Sequence, residues 1–270
     1  MSREILAAPG VNVHVEDVGE GTPIVLLHGW PVNHRMFEYQ TNWLPEHGYR
    51  VIGIDLRGYG ASDRPWRGYD YDTMADDVHA VLEALDLREV VLAGFSMGGA
   101  IAIRYMARHS GDRVSRLALF GAAAPSFTQR EGFPHNLEKS TVDEFIAACH
   151  ADRPALLADF GGMFFDESTE ISPKFEDWFH GLGMEAAGHS TAASLVALRD
   201  EDLRGDLAAI SVPTAIFHGV NDQICSFELA GEMHRGIEDS SLTRFEKSGH
   251  GLFYDELEKF NQALRDFLDR

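Results

Sequence analysis

The spacing of apolar positions changes along the chain, and the changes mark out its elements. Val11, Val13 and Val15 alternate with Asn12, His14 and Glu16, the period of two of a half-buried strand, read here as an edge element in an antiparallel opening hairpin. After the turn Gly19 to Pro23, the unbroken apolar run Ile24 to Leu27 suits a strand buried on both faces, and Val51 to Ile54 forms the next strand. Phe37 to Trp43 fits a short helix ended near Pro45 and Gly48. Thr73, with Asp76 three residues on, reads as the N-cap of a helix that carries Met74, Val78, Val81, Leu82 and Leu85 on one face. Val90 to Ala93 runs through Gly94 into Ser96, and Ala100 to Tyr105 continues as helix formers, so this stretch is strand, tight turn, helix. Leu117 to Phe120 is a further strand.

From Gly121 to about Ile210 the alternation lapses into helices joined by loops, rich in aromatic residues interspersed with Gly, Pro and acids. It resumes with the strand Pro213 to Gly219, a helix Ser226 to Arg235, a short strand Leu242 to Phe245, and a last helix with Leu257, Phe260, Leu264, Phe267 and Leu268 on one face. Strands alternating with helices predict an α/β fold, a mostly parallel sheet with helices on both faces. The expected division is a core of residues 1–120 and 211–270 and a helical cap inserted at 121–210. An insertion after a central strand lies over the carboxyl edge of the sheet, where ligands bind in open α/β folds. The cap is therefore expected to enclose an apolar pocket, with Phe127, Phe160, Phe164 and Trp178 as candidate lining residues.

Charge narrows the partners. Basic residues number 23 against 43 acidic, a net charge of −20, which opposes binding to nucleic acid or to an anionic membrane. No apolar run approaches membrane-spanning length and the first residues lack a signal-peptide pattern, so a cytosolic protein is expected. Cys149 and Cys225 form no C-x-x-C and read as free thiols, without a zinc knuckle or a disulfide framework.

The candidate chemistry centres on Gly94-Phe95-Ser96-Met97-Gly98. A serine at the tip of a strand-to-helix turn adopts a strained backbone, and the glycines two residues either side allow close approach. Its hydroxyl needs a base, and His250, in the glycine-flanked loop Ser248 to Gly251, is placed to reach back over the sheet edge. A carboxylate must hold that ring in one tautomer. Asp222, just after a predicted strand, is the leading candidate, with Asp55 and Asp255 as lesser rivals. Loop stabilisation is the preferred reading of Asp55 and Arg57, and bracing that of His28. Negative charge developing on a carbonyl oxygen needs backbone donors, for which the N–H groups of Trp30 and Met97 are the candidates; Pro31 has none to give. Activity is expected to fall at low pH as His250 takes up a proton.

With Ser96, Asp222 and His250 in that chain order, each after a strand, the sequence resembles the α/β-hydrolase superfamily over nearly its whole length. Its H-G-W-P, D-L-R-G-Y-G-x-S-D-R-P, G-F-S-M-G-G, H-G-x-x-D-x-I and S-G-H-G segments resemble the cofactor-free haloperoxidases, also described as arylesterases and perhydrolases. The resemblance implies an ester hydrolase on small carboxylic esters or acids, able to form peracids from carboxylic acids and hydrogen peroxide, without haem or metal. It also implies Ser96 as nucleophile, His250 as base, Asp222 as orienting acid, and Trp30 and Met97 as hole donors. Cys225 departs from the aliphatic residue expected near the acid, and Asn221 from the charged residue common before it. A serine elbow disfavours the carboxylate-nucleophile dehalogenases and epoxide hydrolases. Lactone, lactam or C–C bond cleavage by the same triad, and a small-ligand receptor on the same fold, stand as alternatives, with a homo-oligomer left open.

Overall fold

A computed structural model describes all of residues 1–270. Eight strands form one sheet in the order β1-β2-β4-β3-β5-β6-β7-β8: β1 (Ser2–Ala8), β2 (Val11–Val18), β3 (Thr22–Leu27), β4 (Tyr49–Ile54), β5 (Val90–Phe95), β6 (Val114–Phe120), β7 (Thr214–Gly219) and β8 (Ser240–Phe245). Pairing is antiparallel for β1 with β2 and β2 with β4, and parallel for all the other pairs. The edge is Ser2–Ala8. The valine-alternating strand lies one place inside it, because the preceding charged residues pair with it despite their own weak apolar pattern.

Chain order reverses across β3, which pairs with β4 on one side and β5 on the other, so the loops leaving β3 and β5 open side by side at the carboxyl edge. Side-chain alternation assigns the two faces. Gly94 admits the helix Met97–Arg108, whereas Phe95 next to it and Phe120 and Phe217 in register with Phe95 point to the other face and meet Phe253 and Phe260.

The helices in chain order are α1 (Glu38–Trp43), α2 (Tyr71–Ala84), α3 (Met97–Arg108), α4 (Lys139–Gly161), α5 (Pro173–Met184), α6 (Gly188–Asp200), α7 (Phe227–Gly236), α8 (Leu252–Asp255) and α9 (Leu257–Leu268). A 3-10 turn at His34–Phe37 leads into α1. The cap of α2 is Asp70, not Thr73: the Asp70 carboxylate accepts from the Thr73 N–H and hydroxyl. Thr73 is thus the residue being capped, and Asp70, three residues earlier, holds the extended backbone that a cap requires. Between β6 and β7 the chain leaves the sheet for α4, α5 and α6. The helix α4 is kinked where Asp152 leaves helical geometry ahead of Pro154. No helix is long and apolar enough to cross a membrane.

Candidate active site

Strand β5 is buried throughout and ends in the turn that carries Ser96 at φ 52°, ψ −118°, a region L-residues avoid. The surroundings dictate the glycines. A Cβ on Gly94 would lie 2.3 Å from the Gly98 carbonyl oxygen, and one on Gly98 would lie 2.4 Å from that of Leu27 and 2.5 Å from that of His28. The serine backbone is itself clamped, its N–H donating to the Phe120 carbonyl (2.9 Å) and its carbonyl accepting from the Ala123 N–H (3.0 Å).

The Asp222 carboxylate follows β7 and is almost wholly buried. Its Oδ1 accepts from the Ile224 and Cys225 N–H groups, both at 2.8 Å, and its Oδ2 lies 2.7 Å from His250 Nδ1. Every polar demand on that carboxylate is therefore met by groups that fix its orientation, and the proton of the imidazole is drawn to Nδ1. Nε2 of His250 is left buried with no partner. The ring is wedged between Phe95 and Phe164, with centroid distances of 4.6 and 5.1 Å. His218, fully buried on β7, donates from Nε2 to the Cys225 carbonyl (2.7 Å) and lies 3.5 Å from Asp222 Oδ2; burial holds it below the usual imidazole range. Burial, helped by the Asp222 charge, likewise pushes the Cys225 thiol up.

Trp30 and Met97 flank the elbow. The Met97 N–H is a first-turn donor of α3 without an intrahelical acceptor, and neither it nor the Trp30 N–H is taken by another acceptor in the chain. The Trp30 ring is pinned from the cap: its Nε1 donates to the Thr191 carbonyl (3.0 Å) and Phe160 stands edge-on to it at 4.9 Å.

The rival residues are engaged elsewhere. Burial brings His28 down to about 4; this neutral ring sits 2.8 Å through Nδ1 from the Gly29 carbonyl and accepts at Nε2 from the Leu56 N–H (3.0 Å), tying together the loops after β3 and β4. Asp55 accepts from the His34 N–H and ring and from the Ala61 N–H. Burial would raise its carboxyl, but the hydrogen bond and charge of His34 outweigh it and the group sits below its ordinary value. Arg57 makes a two-pronged pair with buried Asp77, both contacts at 2.5 Å.

Asp255 does not reach His250. Its carboxylate accepts from Gly249 N–H (2.9 Å), Asp166 N–H (3.1 Å) and the Thr169 hydroxyl (2.7 Å), and burial lifts it to about 6. Sequence reasoning did not foresee this role, because Asp166 and Thr169 lie far away in the chain. The Phe164 carbonyl accepts from the Gly251 N–H at 2.7 Å, and the Asn221 amide donates to Asp166. The cap segment Phe164–Thr169 is thereby stitched to the loop that carries His250.

Beside the site, reached through Pro31 and Phe164 but not lined by Ser96, Asp222 or His250 themselves, the cap borders a half-open cavity of about 570 Å³. Phe160 and Phe164 line it, joined by Pro31, Leu157, Ile171 and Phe179, with Asp166, Glu167, Glu176 and Asp177 also in its wall. Phe127 and Trp178 do not. Phe127 is buried where its carbonyl accepts from Asn136, and Trp178 packs on Phe175 and Phe179; both build the cap's own core.

A serine elbow at the switch point of a mostly parallel sheet, with an aspartate-bound histidine on the loop after the last strand and helices inserted after β6, defines the architecture of the α/β hydrolases. The family model for the alpha/beta hydrolase fold matches residues 22–257, and the chain belongs to that superfamily, in its esterase and non-heme haloperoxidase group. It is 55% identical over 267 residues to the AB hydrolase superfamily protein YisY of Bacillus subtilis, covering 99% of each chain. Among solved structures it is similar to an esterase of Exiguobacterium antarcticum, at 50% identity and TM-score 0.98 with all of both chains covered. It is also similar to a bromoperoxidase of Bacillus anthracis, at 35% identity and TM-score 0.96, again over all of both chains.

Proposed function

We propose that the chain is a serine esterase that cleaves small, uncharged carboxylic esters through an acyl-enzyme. The observation that carries this reading is the unpartnered, buried Nε2 of His250, whose other nitrogen is bound by Asp222, in the site that holds the strained Ser96 elbow. Nε2 accepts the Ser96 proton as Oγ attacks the ester carbonyl. The oxyanion formed is met by the Trp30 and Met97 N–H groups, and Asp222 stabilises the imidazolium. Collapse expels the alcohol, which takes the proton from Nε2, and water then repeats the sequence on the acyl group. Hydrogen peroxide in place of water releases a peracid, a reading supported by the likeness to a bromoperoxidase.

The cavity supports the substrate class. Its aromatic wall suits an apolar group, and four carboxylates around it repel an anionic substrate and favour departure of a carboxylate product.

The test is turnover of a short-chain aryl ester by the wild type and by Ser96→Ala, with and without hydrogen peroxide, the ester itself supplying the acyl group of any peracid. Hydrolysis abolished in the variant and peracid formed by the wild type are expected. Turnover by Ser96→Ala close to wild type overturns the mechanism.

A further inference from the structure

A second cluster of chemistry-bearing residues lies on the opening hairpin, built from the register of three strands. His14 on β2 faces Glu4 on β1 as its pairing partner, and Glu16, two residues on and so on the same face, is paired with Gly53 of β4. Gly53 leaves room for a side chain from above: a Cβ there would lie 3.0 Å from the Cβ of His34, which descends over it from the loop after β3. One ring nitrogen each from His14 and His34 and a carboxylate oxygen of Glu16 lie within 4.8 Å of one another, all three residues being half-buried.

The outer partners give this cluster its meaning. His14 Nδ1 is 2.8 Å from Glu4 Oε1, and His34 Nδ1 is 2.6 Å from Asp55 Oδ1. Each ring thus turns its Nδ1 to a carboxylate, the arrangement by which metal-binding histidines are oriented for ligation through Nε2. Three carboxylates around the two imidazoles, Glu4, Glu16 and Asp55, supply the negative field that a dication needs. The contacts now made at the remaining positions are weak ones, Ser2 Oγ at 3.2 Å from His14 Nε2 and the Met1 ammonium at 3.4 Å from Glu16.

We propose that His14, His34 and Glu16 form a binding site for a divalent transition-metal ion, with Zn²⁺ the best match to two imidazoles and one carboxylate. Donor atoms in a tetrahedral zinc site stand about 3.3–3.5 Å apart, so closure takes side-chain shifts of roughly an ångström, with water or the Ser2 hydroxyl as the fourth ligand. The ion would fasten the antiparallel hairpin to the loop that supports Asp55. It lies outside the Ser96 chemistry and does not depend on that reading.

The experiment uses the full chain dialysed against a chelator, titrated calorimetrically with ZnCl₂ and followed by visible absorption with CoCl₂, with MgCl₂ as the hard-cation control. Expected are a single tight Zn²⁺ site, intense tetrahedral Co²⁺ bands, no Mg²⁺ uptake, and binding that weakens as pH falls and the rings protonate. His14→Gln and Glu16→Gln should each weaken Zn²⁺ binding about 100-fold, and Glu4→Gln about tenfold. His34→Gln is read only if its circular dichroism and melting match the wild type; the partly exposed His14 and Glu16 decide the matter otherwise. Absence of Zn²⁺ uptake by the wild type overturns the proposal. So does uptake that survives His14→Gln and Glu16→Gln, or that is lost instead in a variant of His79 and His109, a second histidine pair whose rings stack 4.3 Å apart between α2 and the end of α3.

Discussion

Replacing Asp222 by Asn separates the chemistry of this carboxylate from its structural task. The two N–H groups of Ile224 and Cys225 both donate to Oδ1 at 2.8 Å, so the Asn carbonyl takes that position; turned the other way, the amide would set donor against donor. The Asn NH₂ then faces His250 Nδ1, which must become an acceptor, and the ring proton moves to Nε2. A protonated Nε2 cannot receive the Ser96 proton, and no anion remains to stabilise an imidazolium. The expected loss is about 10⁴-fold in kcat, or about 5.4 kcal/mol of transition-state stabilisation, while both buried donors stay satisfied and the thermal midpoint barely moves. Asp222→Ala is the companion variant. It strands two buried N–H groups at about 1–3 kcal/mol each, so it loses roughly 2–6 kcal/mol of folding stability on top of the activity. The assay is steady-state hydrolysis of an aryl acetate at neutral pH, paired with urea unfolding of each variant. Asp222→Asn within tenfold of wild-type kcat would refute the reasoning, as would a stability loss equal to that of Asp222→Ala.

Three further predictions follow from the packing. Gly98→Ala drives a methyl group into the Leu27 and His28 carbonyls, and is expected to cost about 3 kcal/mol in urea unfolding and to displace the Met97 N–H; a wild-type midpoint would contradict it. Arg57→Ala leaves Asp77 buried without its counter-charge, for an expected loss of about 3–5 kcal/mol, checked by the same measurement. Asp255 carries a carboxyl raised by burial to about 6, above its unfolded value, so the folded state holds its proton more tightly and this residue's contribution to stability declines as pH rises from about 4 through 6. The stability of wild type minus that of Asp255→Asn, measured across that range, is therefore expected to fall with pH; a flat or rising difference counts against it.

What could be read from the sequence was whatever a short segment decides for itself. The Gly94–Gly98 spacing is demanded by close approach within one turn, and the loops holding Asp222 and His250 follow directly from strands, so all three residues stood out before any tertiary structure was known. The edge strand was harder, because Ser2–Ala8 is held in the sheet by its partner rather than by an apolar period of its own. Thr73 has the residue type of a cap, and only the extended backbone of Asp70 shows that the helix is capped three residues earlier. The cap was least legible. Phe160 and Phe127 are equivalent as residue types, and which one faces the cavity depends on how α4 kinks at Asp152 and settles over Trp30. The pairing of His14 with His34 was invisible for the same reason, as it arises from the register of β2 with β4.

The stitching of Phe164 and Asp166 to the His250 loop makes one hereditary unit of parts that are separate in the chain. A cap transplanted from a relative keeps the imidazole's lateral support only if it sets a backbone carbonyl against the Gly251 N–H, and a backbone N–H and a hydroxyl against Asp255, where Phe164, Asp166 and Thr169 set them here. Substrate range in this scaffold is therefore not freely exchangeable: a donor cap and the segment 248–255 have to be moved together, and directed evolution of the cap will select compensating changes near the carboxyl terminus.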